Sequence, residues 1–229
     1  RTNAQSRSIE DALRKRGLEY RIYGGLSFYQ RKEIKDVLSY LRIIINPSDE
    51  EALKRIINFP GRGIGQTTID RLIVSANEHN KSIFEVLKQL HELPININGG
   101  TKTKLQNFTT MIESFQVMSQ TATAFDLAEH VCRVSGLIQE FKKDGTPEGI
   151  GRMENIEELL NGIKDFVEEQ QELADSTGSL AEFLEDVALA TDLDNEEGDD
   201  SDKVALMTIH LAKGLEFEYV FIVGLEENL

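Results

Sequence analysis

The start of the chain alternates between helical and strand-like hydrophobic patterns. Ile9 and Leu13 have the spacing of an amphipathic helix, and Gly17 follows as a stop signal. Residues 20–22 then alternate apolar and polar as in a short strand. A helical period returns over residues 33–45 and ends just before a proline. The sequence therefore predicts a helix, a short strand and a second helix.

Three later helices are predicted from their start signals. A Ser followed three residues later by Glu, just before an apolar period, is typical of a capping box. The chain has this pattern at Ser48 with Glu51, Ser82 with Glu85, and Ser179 with Glu182.

The pattern changes after residue 191. Residues 192–202 form an acidic stretch without apolar period, which predicts a flexible linker. Residues 204–208 and 219–223 are short, β-branched apolar runs, as expected of buried strands. The order predicts a mainly α protein in which a helical body separates two short pieces of α/β character. Because isolated strands need partners, we expect residues 20–23 to lie beside residues 204–207 and 220–223.

The charge is distributed unevenly along the 229 residues. The net charge is -15, yet residues 1–72 carry 14 Lys or Arg against 9 Asp or Glu. Residues 148–202 carry 19 acidic residues and only Arg152 and Lys164 as basic ones. This acidic stretch is expected to be a solvated face that repels a polyanion, so nucleic acid is expected to bind the first third of the chain.

Composition also excludes several classes of protein. No apolar run approaches the roughly 20 residues that a membrane helix needs, so no membrane span is expected. The single Cys132 cannot form an internal disulfide, and no signal-peptide pattern opens the chain, which indicates a cytoplasmic protein. The four histidines lack the spacing of metal ligands, so no metal site is expected.

One cluster with candidate chemistry lies at residues 59–68, Phe-Pro-Gly-Arg-Gly-Ile-Gly-Gln-Thr-Thr. Glycines allow a tight turn and close backbone approach, and a helix beginning after Gly65 would point unpaired N–H groups outward. Arg62, Thr67 and Thr68 add a guanidinium and two hydroxyls. The pattern is similar to the hairpin of helix-hairpin-helix proteins, which grip the DNA backbone without reading bases. A turn between helices without any ligand is the alternative. No Gly-Lys-Ser/Thr follows, so this is not a nucleotide phosphate loop.

Two further clusters are polar segments beside predicted elements. Residues 207–217 place Thr208 and His210 after a strand and Glu216 beyond the next turn, where α/β proteins bind ligands. Residues 1–7, Arg-Thr-Asn-Ala-Gln-Ser-Arg, are polar and basic at the start of a helix, which a capping role would also explain.

Taken together, five segments of the chain resemble bacterial UvrD/PcrA/Rep-type superfamily-one DNA helicases. They occur in the order found in that family, at residues 1–7, 23–36, 60–65, 152–159 and 207–217. The resemblance implies a 3′-5′ helicase that uses ATP and Mg to unwind duplex DNA in repair or replication, with repair or transcription proteins as partners. It also implies that residues 1–22 and 203–229 are segments of a RecA-like motor domain, and that residues 23–202 are its duplex-contacting helical insertion, with helix-hairpin-helix-like turns.

The resemblance implies site residues position by position. Single-stranded DNA would be contacted by Arg1 and Asn3, and by Thr208 and His210. Glu216 would approach the ATP ribose. Duplex backbone would be met by Arg62, Gly63, Ile64, Gly65 and Thr67.

The same resemblance implies missing parts. The phosphate-binding loop, the Mg-binding acidic pair and the Arg-finger motifs have no counterpart among the 229 residues. We therefore expect an excised piece of a larger helicase, without catalytic residues, without bound ATP or Mg, and without ATPase activity of its own. Two other classes stay open: a self-standing helix-hairpin-helix DNA-binding module, and a helical domain whose acidic face recruits a basic protein.

Overall fold

The computed structural model describes residues 6–172, 178–194 and 203–223, and these are mainly helical. The helices are α1 (Ser6–Lys15), α2 (Lys32–Ile45), α3 (Glu50–Ile56), α4 (Gln66–His79), α5 (Ile83–Lys88), α6 (Gly99–Met118), α7 (Ala124–Val134), α8 (Leu137–Lys142), α9 (Pro147–Gln171), α10 (Leu180–Asp194) and α11 (Ile209–Ala212). Two strands, β1 (Tyr20–Ile22) and β2 (Val204–Leu206), and a 3-10 turn at Phe28–Gln30 accompany them. The mainly α class predicted from the sequence is confirmed. No helix among the described residues combines the length and the apolar character needed to cross a bilayer.

The two strands form a parallel pair that joins distant parts of the chain. Tyr20 lies opposite Val204 in the register of the pair. Backbone hydrogen bonds continue at both ends: the Val204 amide donates to the Glu19 carbonyl and the Tyr23 amide to the Leu206 carbonyl, each at 2.8 Å. The predicted proximity of residues 20–23 and 204–207 is therefore confirmed.

Helix α2 is the centre of the hydrophobic core. It packs against α3, α6, α7, α9 and α10. Its apolar residues cover more than half of its circumference, and Val37, Tyr40, Leu41 and Ile43 are fully buried. A helix that is apolar around most of its circumference is stable only when other helices cover it on several sides. The helical body is thus organised around the segment that the sequence predicted as residues 33–45.

Helix α1 is held against α9 by a half-buried ionic network around Arg7. The Arg7 guanidinium donates to Glu158 at 2.9 Å and Asp165 at 3.2 Å, both on α9, and to Asp11 on its own helix at 2.9 Å. The guanidinium lies so close to Gly162 that a methyl group there would overlap it. Burial by itself lowers the pKa of Arg7, but the carboxylates of Asp11 and Glu158 outweigh this and raise it. Part of the acidic stretch is therefore used for packing, which corrects the expectation of a purely solvated face.

Two segments that carried the family resemblance meet in a second polar cluster. The Arg31 guanidinium donates to the Asn155 side chain at 2.8 Å and to the Ser6 hydroxyl at 2.7 Å. Asn155 in turn donates to Glu33. All three residues, Arg31, Glu33 and Asn155, are buried. Their hydrogen bonds connect α1, the start of α2 and α9.

The expected strand at residues 220–223 is not formed. Residues 220–223 have no regular secondary structure, and Phe221 and Tyr219 are 88% and 80% exposed. An apolar run becomes a buried strand only when a neighbouring strand pairs with it and another layer covers it. The described residues provide neither for this run.

Two helix boundaries also differ from the sequence prediction. Asp49 rather than Ser48 caps α3, because the Asp49 carboxylate accepts from the Ala52 amide at 2.9 Å and the helix begins one residue later. Helix α10 continues to Asp194, so residues 192–194 belong to a helix rather than to the linker. The rest of that linker, residues 195–202, lies outside the described residues. The capping boxes at Ser82 and Ser179 are confirmed by reciprocal hydrogen bonds with the Glu three residues on.

Candidate nucleic-acid interface

The glycine-rich cluster forms an exposed turn between α3 and α4. Its shape is set by the Asn58 side chain, whose oxygen accepts from the amides of Arg62 at 3.1 Å and Ile64 at 2.9 Å. Ile64 anchors the turn in the core, since its side chain is only 1% exposed. Gly63 has φ +67°, a left-handed conformation that a residue without Cβ adopts at little cost. The turn thus presents backbone on its outer side while Ile64 holds it from beneath.

Unpaired amides gather where this turn enters α4. Gly65 is the N-cap and supplies no side-chain hydrogen bond. Within the part of the chain that the structure describes, the amides of Gly65, Gln66 and Thr67 have no hydrogen-bond acceptor. All three residues are exposed. Free N–H groups at the positive end of a helix favour an anion such as a phosphate. We call the exposed backbone from Gly63 to Thr67 the 63–67 turn.

Gly65 itself is in extended conformation, with φ -82° and ψ 163°. A Cβ added at Gly65 would meet no atom within 4 Å. The requirement for positive φ therefore lies at Gly63 and not at Gly65. This difference makes Gly65 a position where a side chain can be added without strain.

Arg62 has a structural role that the sequence did not reveal. One terminal nitrogen of its guanidinium donates to the carbonyls of Ile56 and Pro60, and the other to the Tyr40 hydroxyl at 2.5 Å and the Ser135 carbonyl at 3.3 Å. All four terminal N–H groups are thereby directed into the protein rather than towards a ligand.

Aromatic rings surround the same guanidinium. It lies 5.8 Å from the centre of the Tyr40 ring and 5.2 Å from that of Phe108. Burial raises the pKa of Tyr40 to about 12, partly opposed by the charge of Arg62, so the Tyr40 hydroxyl stays protonated and donates to the Phe59 carbonyl at 2.6 Å. Arg62 therefore supports the turn from within and joins α2, α6 and the end of α7.

Lys104 lies beside the turn and was missed by the sequence analysis. It is on α6, and its ammonium group donates to the Gly63 carbonyl at 3.4 Å. No signal in the sequence connects the two residues, because they are separated by two further helices and only the packing of α6 brings them together.

The second cluster surrounds the short helix α11. The Thr208 hydroxyl caps α11 by accepting from the Leu211 amide at 3.4 Å. His210 and Glu216 are exposed and make no hydrogen bond or ion pair to another described residue. Thr208 and His210 thus follow strand β2, as predicted, and Glu216 lies beyond the turn that ends α11.

The segments that follow β1 and β2 meet at this cluster. The Leu211 side chain packs over Gly24, where φ is +74° and an added methyl group would overlap it. Thr208, His210 and Glu216 therefore follow β2 next to the segment after β1. Arg1 and Asn3, the other residues proposed for single-stranded DNA, lie outside the described residues.

Comparison with known proteins identifies the family. A family model, the UvrD-like helicase C-terminal domain, matches residues 1–229. The chain belongs to the UvrD-like helicase C-terminal domain family. It is 40% identical over 234 residues to the ATP-dependent DNA helicase PcrA of Bacillus subtilis (strain 168), which covers 100% of this chain and 31% of that protein.

Other relatives have similar extents. The PcrA helicases of Leuconostoc citreum and Staphylococcus aureus (strain Mu50 / ATCC 700699) are each 40% identical, over 231 and 229 residues, covering 100% of this chain and 30% of each protein. The UvrD-like domain described here therefore spans less than a third of the length of these curated relatives. The resemblance seen in the sequence is confirmed at the level of the family.

Proposed function

We propose that this UvrD-like domain acts as part of an ATP-dependent DNA helicase and that its 63–67 turn contacts the backbone of duplex DNA. The main support is the set of unpaired amides at Gly65, Gln66 and Thr67, exposed at the start of α4. Such donors fit phosphate oxygens and read no bases, which suits an enzyme that moves along any sequence. The proposed contact at Ile64 is through its backbone, because its side chain is buried.

We also propose that single-stranded DNA passes the cluster around α11. Thr208 and His210, together with Arg1 and Asn3, would contact the strand during 3′-5′ movement. The exposed, unengaged imidazole of His210 supports this part of the proposal. Its two ring nitrogens can donate to or accept from a strand without first breaking a described hydrogen bond.

Among the residues that the structure describes, we propose Glu216 as the group that contacts the nucleotide. The exposed Glu216 carboxylate has no described partner, so it fits a contact to the hydroxyls of an ATP ribose. No glycine-rich loop ending in Gly-Lys-Ser/Thr occurs in the 229 residues to hold the phosphates. In the proposal, Mg and the phosphates are therefore bound by residues outside this sequence.

The proposed domain division follows the same family. Residues 1–22 and 203–229 would be segments of the RecA-like motor domain, and residues 23–202 its helical insertion, with a helix-hairpin-helix-like turn between α3 and α4. The parallel pairing of β1 and β2 supports this division, since parallel strands are typical of a motor sheet. A cytoplasmic location and contacts with repair or transcription proteins belong to the same proposal.

The duplex contact is tested by adding a side chain over the free amides. Gly65→Val should retain the fold, because φ at Gly65 is negative and its Cβ position is open, but it should block phosphate approach. Because the chain is acidic, we expect it to bind duplex DNA weakly, and Gly65→Val should lower this affinity further. Fluorescence anisotropy with a labelled hairpin duplex at several salt concentrations measures the affinity. Gly145→Val, at an exposed loop glycine that is also open, is the matched control.

Asn58→Asp provides an independent variant of the same contact. The new carboxylate can still accept from the Arg62 and Ile64 amides, so the turn should keep its shape. Its negative charge should repel the phosphate and reduce affinity. If folded Gly65→Val and Asn58→Asp proteins both bind duplex as well as the unmodified chain, the 63–67 turn is not the contact.

A further inference from the structure

We propose that Lys104 is a DNA-contacting residue that neutralises one phosphate of the duplex at the 63–67 turn. This inference rests on the proposed function of that turn and adds a specific cationic group to it. The observation behind it is the position of the Lys104 ammonium group, 3.4 Å from the Gly63 carbonyl.

The contact between the Lys104 ammonium and the Gly63 carbonyl depends on residue 63 being a glycine, which has no Cβ. A Cβ at Gly63 would lie 2.7 Å from the Lys104 ammonium and would displace it. Gly63 therefore allows the left-handed turn and also leaves room for the lysine. The ammonium is directed to the turn although its long aliphatic stem is exposed at the surface.

Lys104 also lacks an acidic partner. Lys54, Lys88 and Lys143 each form an ion pair with a glutamate, but no ion pair involves Lys104 among the described residues. In a chain with a net charge of -15, an ammonium without an acidic partner at the Gly63 end of the 63–67 turn is a local positive site. An ammonium binds a phosphate more strongly than it binds a carbonyl. The Lys104 ammonium can therefore leave the Gly63 carbonyl and bind a phosphate when DNA is present.

The amides and the ammonium supply different parts of phosphate recognition. The amides of Gly65, Gln66 and Thr67 are fixed in direction by α4, while Lys104 brings a full charge on a flexible stem. An ammonium that neutralises a phosphate would release a counterion from the duplex. Neutral amides alone would release it less effectively. Arg62 does not take this role, because its terminal N–H groups are bonded inside the protein.

The test measures the salt dependence of duplex binding for charge-removing variants of the whole chain. Lys104→Gln should reduce the slope of log affinity against log salt by about 0.9, the expectation for one lost phosphate contact. Lys104→Arg should retain the slope. Lys102→Gln is the matched control, since Lys102 lies on the same helix but two positions away, on the opposite side, and should leave the slope close to its original value.

The outcomes separate this inference from the proposed function. If Gly65→Val weakens binding but Lys104→Gln leaves the slope unchanged, the turn binds DNA without Lys104, and the inference is overturned. Equal losses for Lys104→Gln and Lys102→Gln would reflect general charge and would also overturn it. If the unmodified chain shows no salt-dependent duplex binding, the proposed function fails, and the role of Lys104 fails with it.

Discussion

At the scale of single residues, Arg62 lies in a pattern that resembles a DNA-binding hairpin, yet its side chain is bonded within the protein. Its guanidinium connects carbonyls of Ile56, Pro60 and Ser135 with the Tyr40 hydroxyl. These acceptors belong to different parts of the helical body, so the side chain stabilises the turn from below. The loss of Arg62 should therefore reduce stability first and DNA binding only as a consequence.

Arg62→Ala should lower the free energy of unfolding by about 2 kcal/mol, because partly buried acceptors lose their donors. Arg62→Lys should recover only part of this loss, since one ammonium cannot reach acceptors in four directions. Urea unfolding followed by circular dichroism measures both. Arg133→Ala, an exposed arginine on α7, should change stability by less than about 0.5 kcal/mol and is the control. An Arg62→Ala protein as stable as the Arg133→Ala protein would exclude this structural role.

At the scale of elements, the attachment of α1 to α9 depends more on the Arg7 side chain than on the exposed Lys15. The Arg7 side chain is 9% exposed and reaches Glu158 and Asp165. Lys15 makes a similar ion pair with Glu169 at 2.6 Å, but the side chains of both residues are more than half exposed. Solvent-exposed pairs contribute little, whereas partly buried carboxylates such as Asp11 and Glu158 are destabilising when they lose their cation.

Arg7→Ala should therefore loosen α1 while leaving the rest of the helical body intact. The expected result is faster hydrogen exchange at the amides of α1, with exchange in α2 and α6 unchanged. Lys15→Ala should have little effect on either. Hydrogen exchange followed by mass spectrometry makes the comparison. Similar exchange of α1 in the Arg7→Ala and Lys15→Ala proteins would show that the network does not hold this helix.

At the scale of the whole molecule, charge is distributed unevenly between the first part of the chain and the later helices. The 63–67 turn lies in the basic first part of the sequence, whereas α9 and α10 are strongly acidic. With a net charge of -15, the chain as a whole should repel a duplex, and in the proposal the 63–67 turn binds it against this repulsion. This supports weak binding with a shallow dependence on salt, because few phosphates would be neutralised.

The purified 229-residue chain should show no DNA-stimulated ATPase activity. Phosphoryl transfer needs groups that hold the phosphates and Mg, and the sequence has no phosphate-binding loop to do so. A coupled ATPase assay with and without single-stranded DNA measures this, with Glu216→Ala as a variant that should behave identically. Turnover above the no-protein background that disappears in Glu216→Ala would contradict the proposed division of the active site.

The sequence by itself determined the features that depend on neighbouring residues. The mainly α class, the helix over residues 33–45 and the capping boxes at Ser82 and Ser179 follow from hydrophobic period and local hydrogen bonding. The family also followed from the sequence, because its motifs are short segments in a given order. Gly63 was recognisable as part of a turn because glycines recur at short spacing in residues 59–68.

Only the tertiary structure decided which side chains meet across the fold. The inward guanidinium of Arg62, the position of Lys104 beside Gly63 and the Arg7 network each join residues from separate helices. The sequence also placed a strand at residues 219–223, yet these residues are exposed, because burial of a strand depends on what packs against it. Local patterns specify which element can form, whereas packing between distant segments decides which side chains face the core, a neighbouring carboxylate or solvent.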